Sequence, residues 1–280
     1  MPRLTEAVFR EKIKLATLMD DPFMREFFTD NIPGVQLMLR IIMAKPDLVV
    51  ESVNVQYVLR AGEGSRYVRV DVYAVDSDNR HYDIEIQNAS SGASPQRARH
   101  NSAMMDVNLL KTGENPIVLK ERESVVIFIT EKDVLGEGEP IYIIDRVIEK
   151  SGRKFNDGSH IVYVNASHQD LSTELGKLMH DFHCVKPEDM IFPEIAEKAA
   201  EVKGSEKMGV WAEMEQEAIA EGIAEGMAKG IAKGMAQGIT KASENIAHNL
   251  IKAGKETLED IANICGLTLQ RVQELARQNA

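Results

Sequence analysis

The run VRVDVYAVDSDNRHYDIEIQ, residues Val68–Gln87, sets the fold class from which the rest of the chain follows. In its first half Val68, Val70, Val72 and Ala74 alternate with Arg69, Asp71 and Tyr73; in its second, Tyr82, Ile84 and Ile86 alternate with Asp83, Glu85 and Gln87. Successive side chains of a strand point to opposite faces, so the pattern predicts two strands, each apolar on one face and polar on the other. The intervening Asp76-Ser77-Asp78-Asn79-Arg80 is rich in turn formers, which joins them as a β-hairpin. A turn centred on Asp78 sets Asp71 opposite Glu85. Like charges facing each other across a ladder repel, and a bound cation is the natural counterweight.

Upstream of the hairpin the chain reads as helical through about residue 45, with Asp21-Pro22 resembling a cap and first-turn proline. A strand follows from Val49 to Leu59. Downstream, Asn88–Ala93 is a loop, Ser94-Pro95 opens a helix that ends at Gly113, and SVVIFIT at Ser124–Thr130 is a buried-type strand. Ile141–Val147 and His160–Val164 predict further strands, and Leu171–His183 a helix. Helices mixed with strands crossed by a helix make an α/β layered fold with a mixed central sheet.

Beyond Pro187 the texture changes. Glycine recurs every four residues at Gly222, Gly226, Gly230, Gly234 and Gly238, alongside Ile219, Ile223, Met227, Ile231, Met235 and Ile239. A four-residue period drifts by roughly 40° per repeat around a helix, and each glycine costs it about 0.8–1 kcal/mol, which suits a weakly ordered linker or a self-association helix. The final stretch divides into two short helices about Cys265-Gly266-Leu267, capped at Thr268, with Val272 and Leu275 facing inward. This is a helical hairpin for packing or a helix-turn-helix whose second helix offers Gln270, Arg271, Gln273 and Arg277. The expected domains are therefore 1–186, a linker at 187–243 and a hairpin at 244–280.

Composition narrows the function classes. The chain has 280 residues and a net charge of −11, which argues against a protein coated in basic surface, though not against a local basic groove. Cys184 and Cys265 match no zinc spacing and no disulfide framework, and no apolar leader or bilayer-length stretch is visible. A reduced, cytoplasmic setting without membrane attachment is the expectation.

Asp71 and Glu85 are the leading candidates for chemistry. Paired carboxylates on adjacent strands suit Mg²⁺ or Mn²⁺, hard ions that take oxygen ligands and that activate water against phosphate. The bland alternative is a solvated hairpin face. Asp83 shares that face nearer the turn, and Asp21 offers a further acid from the opening helix. Arg97 and Arg99 follow near a helix start, where phosphate binds readily.

The block Val68–Gln87, followed by Pro95-Gln96-Arg97-Ala98-Arg99, resembles the PD-(D/E)XK nuclease family transposases, or recombination-promoting nucleases. The likeness extends to DPFMREFF at Asp21–Phe28 and to the glycine-repeat tail. It implies a restriction-endonuclease-like core and a Mg²⁺-dependent DNA endonuclease acting in bacterial recombination or transposition. Asp71 and Glu85 match the family's metal-binding acids, and the Ile86 carbonyl is a further ligand by analogy. Gln87 takes the place of the superfamily lysine, orienting water through its amide without a charge, and Val70 stands where the name implies proline. Cutting a duplex twice calls for two sites, so the likeness also implies a homodimer or larger homo-oligomer through the tail. A catalytically silent module that binds DNA or protein and self-associates is the alternative.

Overall fold

The computed structural model describes residues 14–62, 67–88, 90–205, 227, 230, 234, 235, 238 and 240–278. The chain forms two compact units, Met1–Ala212 and Glu213–Ala280.

The first unit is built on a six-stranded sheet in the order β1-β2-β3-β4-β8-β5. Its strands are β1 (Val50–Arg60), β2 (Tyr67–Asp76), β3 (His81–Gln87), β4 (Ser124–Thr130), β5 (Ile141–Ile144) and β8 (Ser159–Asn165). Two small strands, β6 (Val147–Ile148) and β7 (Arg153–Lys154), form a separate ribbon, so the single strand expected over Ile141–Val147 divides in two. β3, β4 and β8 run parallel; β1, β2 and β5 are antiparallel to their neighbours. The mixed α/β sheet expected from the sequence is thus what the chain forms.

Helices cover both faces. On one lie α1 (Asp21–Phe28), α2 (Ile32–Ile42), α4 (Glu174–His183) and α5 (Pro193–Gly204). Phe23, Phe27, Met38, Leu39, Leu178 and Phe182 pack there against Val72, Ile84, Ile127 and Val164. On the other face lies α3 (Pro95–Leu109), whose Ala98, Met104 and Met105 meet Val70, Val126, Phe128 and Tyr163. The core of this unit extends past residue 186, because Ile195, Ala199 and Val202 of α5 are buried in it. Helix α1 starts one residue earlier than expected: Asp20 occupies the cap position, leaving Asp21 in the first turn beside Pro22.

The turn of the β2–β3 hairpin is fixed by Asp76. Its Oδ1 accepts from the N–H groups of Asp78 and Arg80, and its Oδ2 accepts from the Tyr82 hydroxyl at 2.7 Å. Asn79 takes a left-handed conformation with φ 59°, which asparagine tolerates. The resulting pairs, from Val75↔His81 to Val72↔Ile84, are those of a turn centred on Asp78.

One feature of the hairpin departs from simple alternation. Val72 and Ala74 belong to the first core, whereas Val68 and Val70, of the same parity, belong to the second. The switch falls at Asp71. The β1–β2 ladder passes from Val55↔Val72 to Tyr57↔Val70, and the Gln56 position between them has φ 54°. The apolar face expected to run unbroken from Val68 to Ala74 therefore changes sides at this acid, opposite the left-handed Gln56 of β1.

In the second unit, residues 240–253 are helical and are followed by α6 (Leu258–Cys265) and α7 (Leu269–Gln278). Gly266 ends α6 with φ 63°, and Thr268 Oγ1 accepts from Arg271 N–H at the start of α7. Ala247, Ile261, Ala262, Cys265, Val272 and Leu275 form its core. Of the glycine repeat, Gly230, Gly234 and Gly238 are helical, and Gly222 and Gly226 lie outside the described residues. No helix among the described residues is long and apolar enough to cross a membrane.

Candidate metal centre

Parallel strands covered on both faces normally carry apolar residues throughout, and β4 obeys that rule: all of its residues are buried. Its neighbour β3 does not. Tyr82, Ile84 and Ile86 face the first core, but Asp83 and Glu85 point under α3, each 0% exposed. The alternative of a solvated hairpin face is therefore overturned at Asp83 and Glu85, because α3 lies across them.

Three carboxyl groups neighbour one another here, near enough that Glu85 feels the charges of both Asp83 and Asp71. Asp71 projects from the switch point of β2, and its Oδ2 accepts from the Ile86 N–H at 3.0 Å. Asn101 of α3, 1% exposed, donates its Nδ2 to Asp83 Oδ2 at 2.9 Å and to Glu85 Oε1 at 3.1 Å. Glu85 Oε2 accepts from Gln87 Nε2 at 3.1 Å and from Arg97 Nη2 at 2.5 Å. The Arg97 guanidinium also donates to the Gly92 carbonyl at 2.9 Å and to Gln87 Oε1 at 3.3 Å, and it sits over the Phe128 ring. A Cβ at Gly92 would lie 2.1 Å from Gln87 Oε1, so a side chain there would push the Gln87 amide aside.

The electrostatics follow from burial and crowding. Burial pushes the Asp71 carboxyl up, opposed by the Ile86 N–H and assisted by the negative charge of Asp21. Asp83 is pushed up to about 7, first by burial and then by Asp71, against the Asn101 hydrogen bond and Arg97. Glu85 is pushed up to about 9 by burial, then by Asp83 and Asp71, against Arg97 and Asn101. Asp83 Oδ1 is buried without a hydrogen-bond partner. Burying an acceptor unpaired costs about 1–3 kcal/mol, and confining acids together costs more. An all-oxygen donor set with an unsatisfied buried oxygen is of the kind that hard divalent cations take, although among the described residues it is His180, Asp181 and Cys184, not these acids, whose donor atoms all lie within 4.8 Å of one another.

Not every expected residue joins the cluster. Asp71, Asp83, Glu85, Gln87 and Arg97 are brought together. Ile86 contributes its N–H to Asp71, and a residue's two backbone polar groups share a side in a strand, so its carbonyl is turned toward β2 as well. Asp21 is near enough to act on Asp71 but is exposed and paired with Arg25 in its own helix. Arg99 is exposed on the far side of α3: two residues along a helix turn a side chain by about 200°, so it cannot share a face with Arg97. Asn101, one turn beyond Arg97, does share it. That spacing was its signal in the sequence, masked by the polar character of α3's buried face at Asn101 and Ser102.

A second group of donor atoms lies at the end of α4. Ligand atoms of His180, Asp181 and Cys184 lie within 4.8 Å of one another. Here the bonds are structural: Asp181 accepts from the N–H groups of Ile191 and Phe192, and Cys184 Sγ donates to the Asp189 carbonyl. The thiol is held protonated, pushed up to about 11 by burial and by Asp181 and Asp189.

Comparisons of the chain with protein-family models, with curated proteins and with solved structures return no match.

Proposed function

We propose that this protein is a metal-dependent endonuclease that hydrolyses phosphodiester bonds of DNA, in the manner of the PD-(D/E)XK transposase family it resembles. The observation that carries the reading is the grouping of half-buried Asp71 with the fully buried Asp83 and Glu85, one buried oxygen of Asp83 being left unpartnered. Asp71 and Glu85 would hold a Mg²⁺ or Mn²⁺ ion, with the Ile86 carbonyl as a further ligand by analogy and Asp83 as an additional acid. Such an ion supplies Lewis acidity toward a phosphate and toward the attacking water. The Gln87 amide orients that water, and Arg97 provides the positive charge for the phosphate that Gln87 lacks. Asn101 fixes the acids through its Nδ2.

DNA is the proposed substrate, and self-association through the tail is the proposed route to a second cut. The rival reading, a silent nuclease-like binding module, draws on the Arg97–Glu85 ion pair, which neutralises the acid without any metal. A plasmid-nicking assay separates them. Wild-type protein is expected to nick with Mg²⁺ or Mn²⁺ and not with chelator, and Asp71→Ala or Glu85→Ala to lose at least about 10²-fold in rate. Equal nicking by the Asp71→Ala variant, or none by the wild type with either ion, would remove the hydrolytic reading.

A further inference from the structure

Both oxygens of Glu85 are engaged. Oε1 accepts from Asn101, and Oε2 accepts from Gln87 and Arg97. A carboxylate so occupied offers little to an incoming cation until a donor leaves. The three donors are not equivalent. Asn101 is almost wholly buried and also serves Asp83, so its removal would strip two acids at once. Gln87 is neutral and packed against Gly92. Arg97 is the cation of the set, and its side chain is 36% exposed, so its head has solvent to move into.

Arg97 is also anchored in two ways. Its bonds to Glu85 and Gln87 hold it to the acids. Its bond to the Gly92 carbonyl and its seat over Phe128 are independent of them. Its backbone is fixed as well, since Arg97 N–H donates to Ser94 Oγ in the cap of α3. Loss of the first pair of bonds therefore leaves the side chain tethered and able to pivot.

We propose that Arg97 is a resident counter-cation that closes the acid cluster and is displaced from Glu85 when a divalent ion binds. The proposal rests on the metal reading above and adds an order to it: the ion loads first, and the guanidinium it releases is then available to a phosphate oxygen. Two positive charges competing for one carboxylate make Arg97 an antagonist of the metal, although both serve the same site.

The test is calorimetric titration of the full chain with Mn²⁺ alone, comparing wild type with Arg97→Met and Arg97→Lys. Removing a competitor tightens binding, so Arg97→Met is expected to bind Mn²⁺ about tenfold more tightly than wild type, and Arg97→Lys to stay within about threefold. Affinity that is unchanged or weakened in Arg97→Met overturns the proposal, because a purely supporting arginine would act in that direction. A second measurement needs no variant. The Arg97 Nε–H resonance of the wild type should shift and exchange faster with solvent when Mg²⁺ is added, and an unmoved resonance under saturating Mg²⁺ also overturns it. A wild type that binds neither ion refutes the metal reading and this proposal together. Normal metal binding with a stationary Arg97 refutes this proposal alone.

Discussion

Asp83 and Glu85 occupy positions where β4 places only apolar or hydroxyl-bearing side chains, and their protonation state follows from that placement. A carboxyl whose pKa is raised by folding favours the folded state while it carries its proton. Its contribution is complete below the ordinary carboxylate range and is lost as pH rises through the raised value, about 7 for Asp83, while Arg97 holds Glu85 as its ionised partner. The metal-free protein is therefore expected to show a falling Tm between about pH 5 and about pH 7 in chelator, with saturating Mg²⁺ flattening the decline, as followed by circular dichroism. A Tm that climbs with pH in chelator would show that the acids are ionised and stabilised without help. Asp83→Asn removes the acid whose Oδ1 is unpartnered, and it should raise metal-free stability at pH 8 by about 1 kcal/mol while weakening Mn²⁺ binding. A destabilised metal-free variant would contradict this account of Asp83.

At the scale of elements, the site depends on a strand that changes sides and on a helix that covers it. Gln56 accepts a left-handed backbone opposite Asp71, a conformation that costs a residue with a side chain about 1–2 kcal/mol. Gln56→Gly should leave stability unchanged or slightly improved, whereas Gln56→Val should cost at least about 1 kcal/mol by urea denaturation. Equal effects of the two would mean that the turnover of the strand carries no backbone strain. Gly92→Ala should displace the Gln87 amide, since the new Cβ would overlap Oε1. The expected result is a drop in nicking rate with a much smaller change in Tm. Much of this layer was legible in advance: the hairpin register came from a turn centred on Asp78 in the turn-rich Asp76–Arg80, and β4 from its unbroken apolar run. The reversal at Asp71 was not, because alternation continues in the sequence while Gln56 turns the partner strand over. Nor was the burial of Asp83 and Glu85, because α3 hides its contact face behind Asn101 and Ser102. Arg97 and Arg99 look equivalent as a pair of neighbours in sequence, and helical geometry separates them.

For the whole molecule, the first unit is complete only with α5, whose Ile195, Ala199 and Val202 fill the main core. A deletion at Pro187 would open that core, so the tail is best removed after residue 212, the boundary between the units. Residues 1–212 are expected to sediment as a monomer and the full chain as a dimer or larger species. Equal masses would take the tail out of the assembly. Acids from β2 and β3 are proposed to hold a divalent ion together, and calorimetry with Mn²⁺ measures that binding. Wild-type protein should bind Mn²⁺ with an affinity that Asp71→Ala and Glu85→Ala each reduce by at least about tenfold while keeping the wild-type far-ultraviolet spectrum. Binding of equal strength in all three proteins, or in none, would contradict the account.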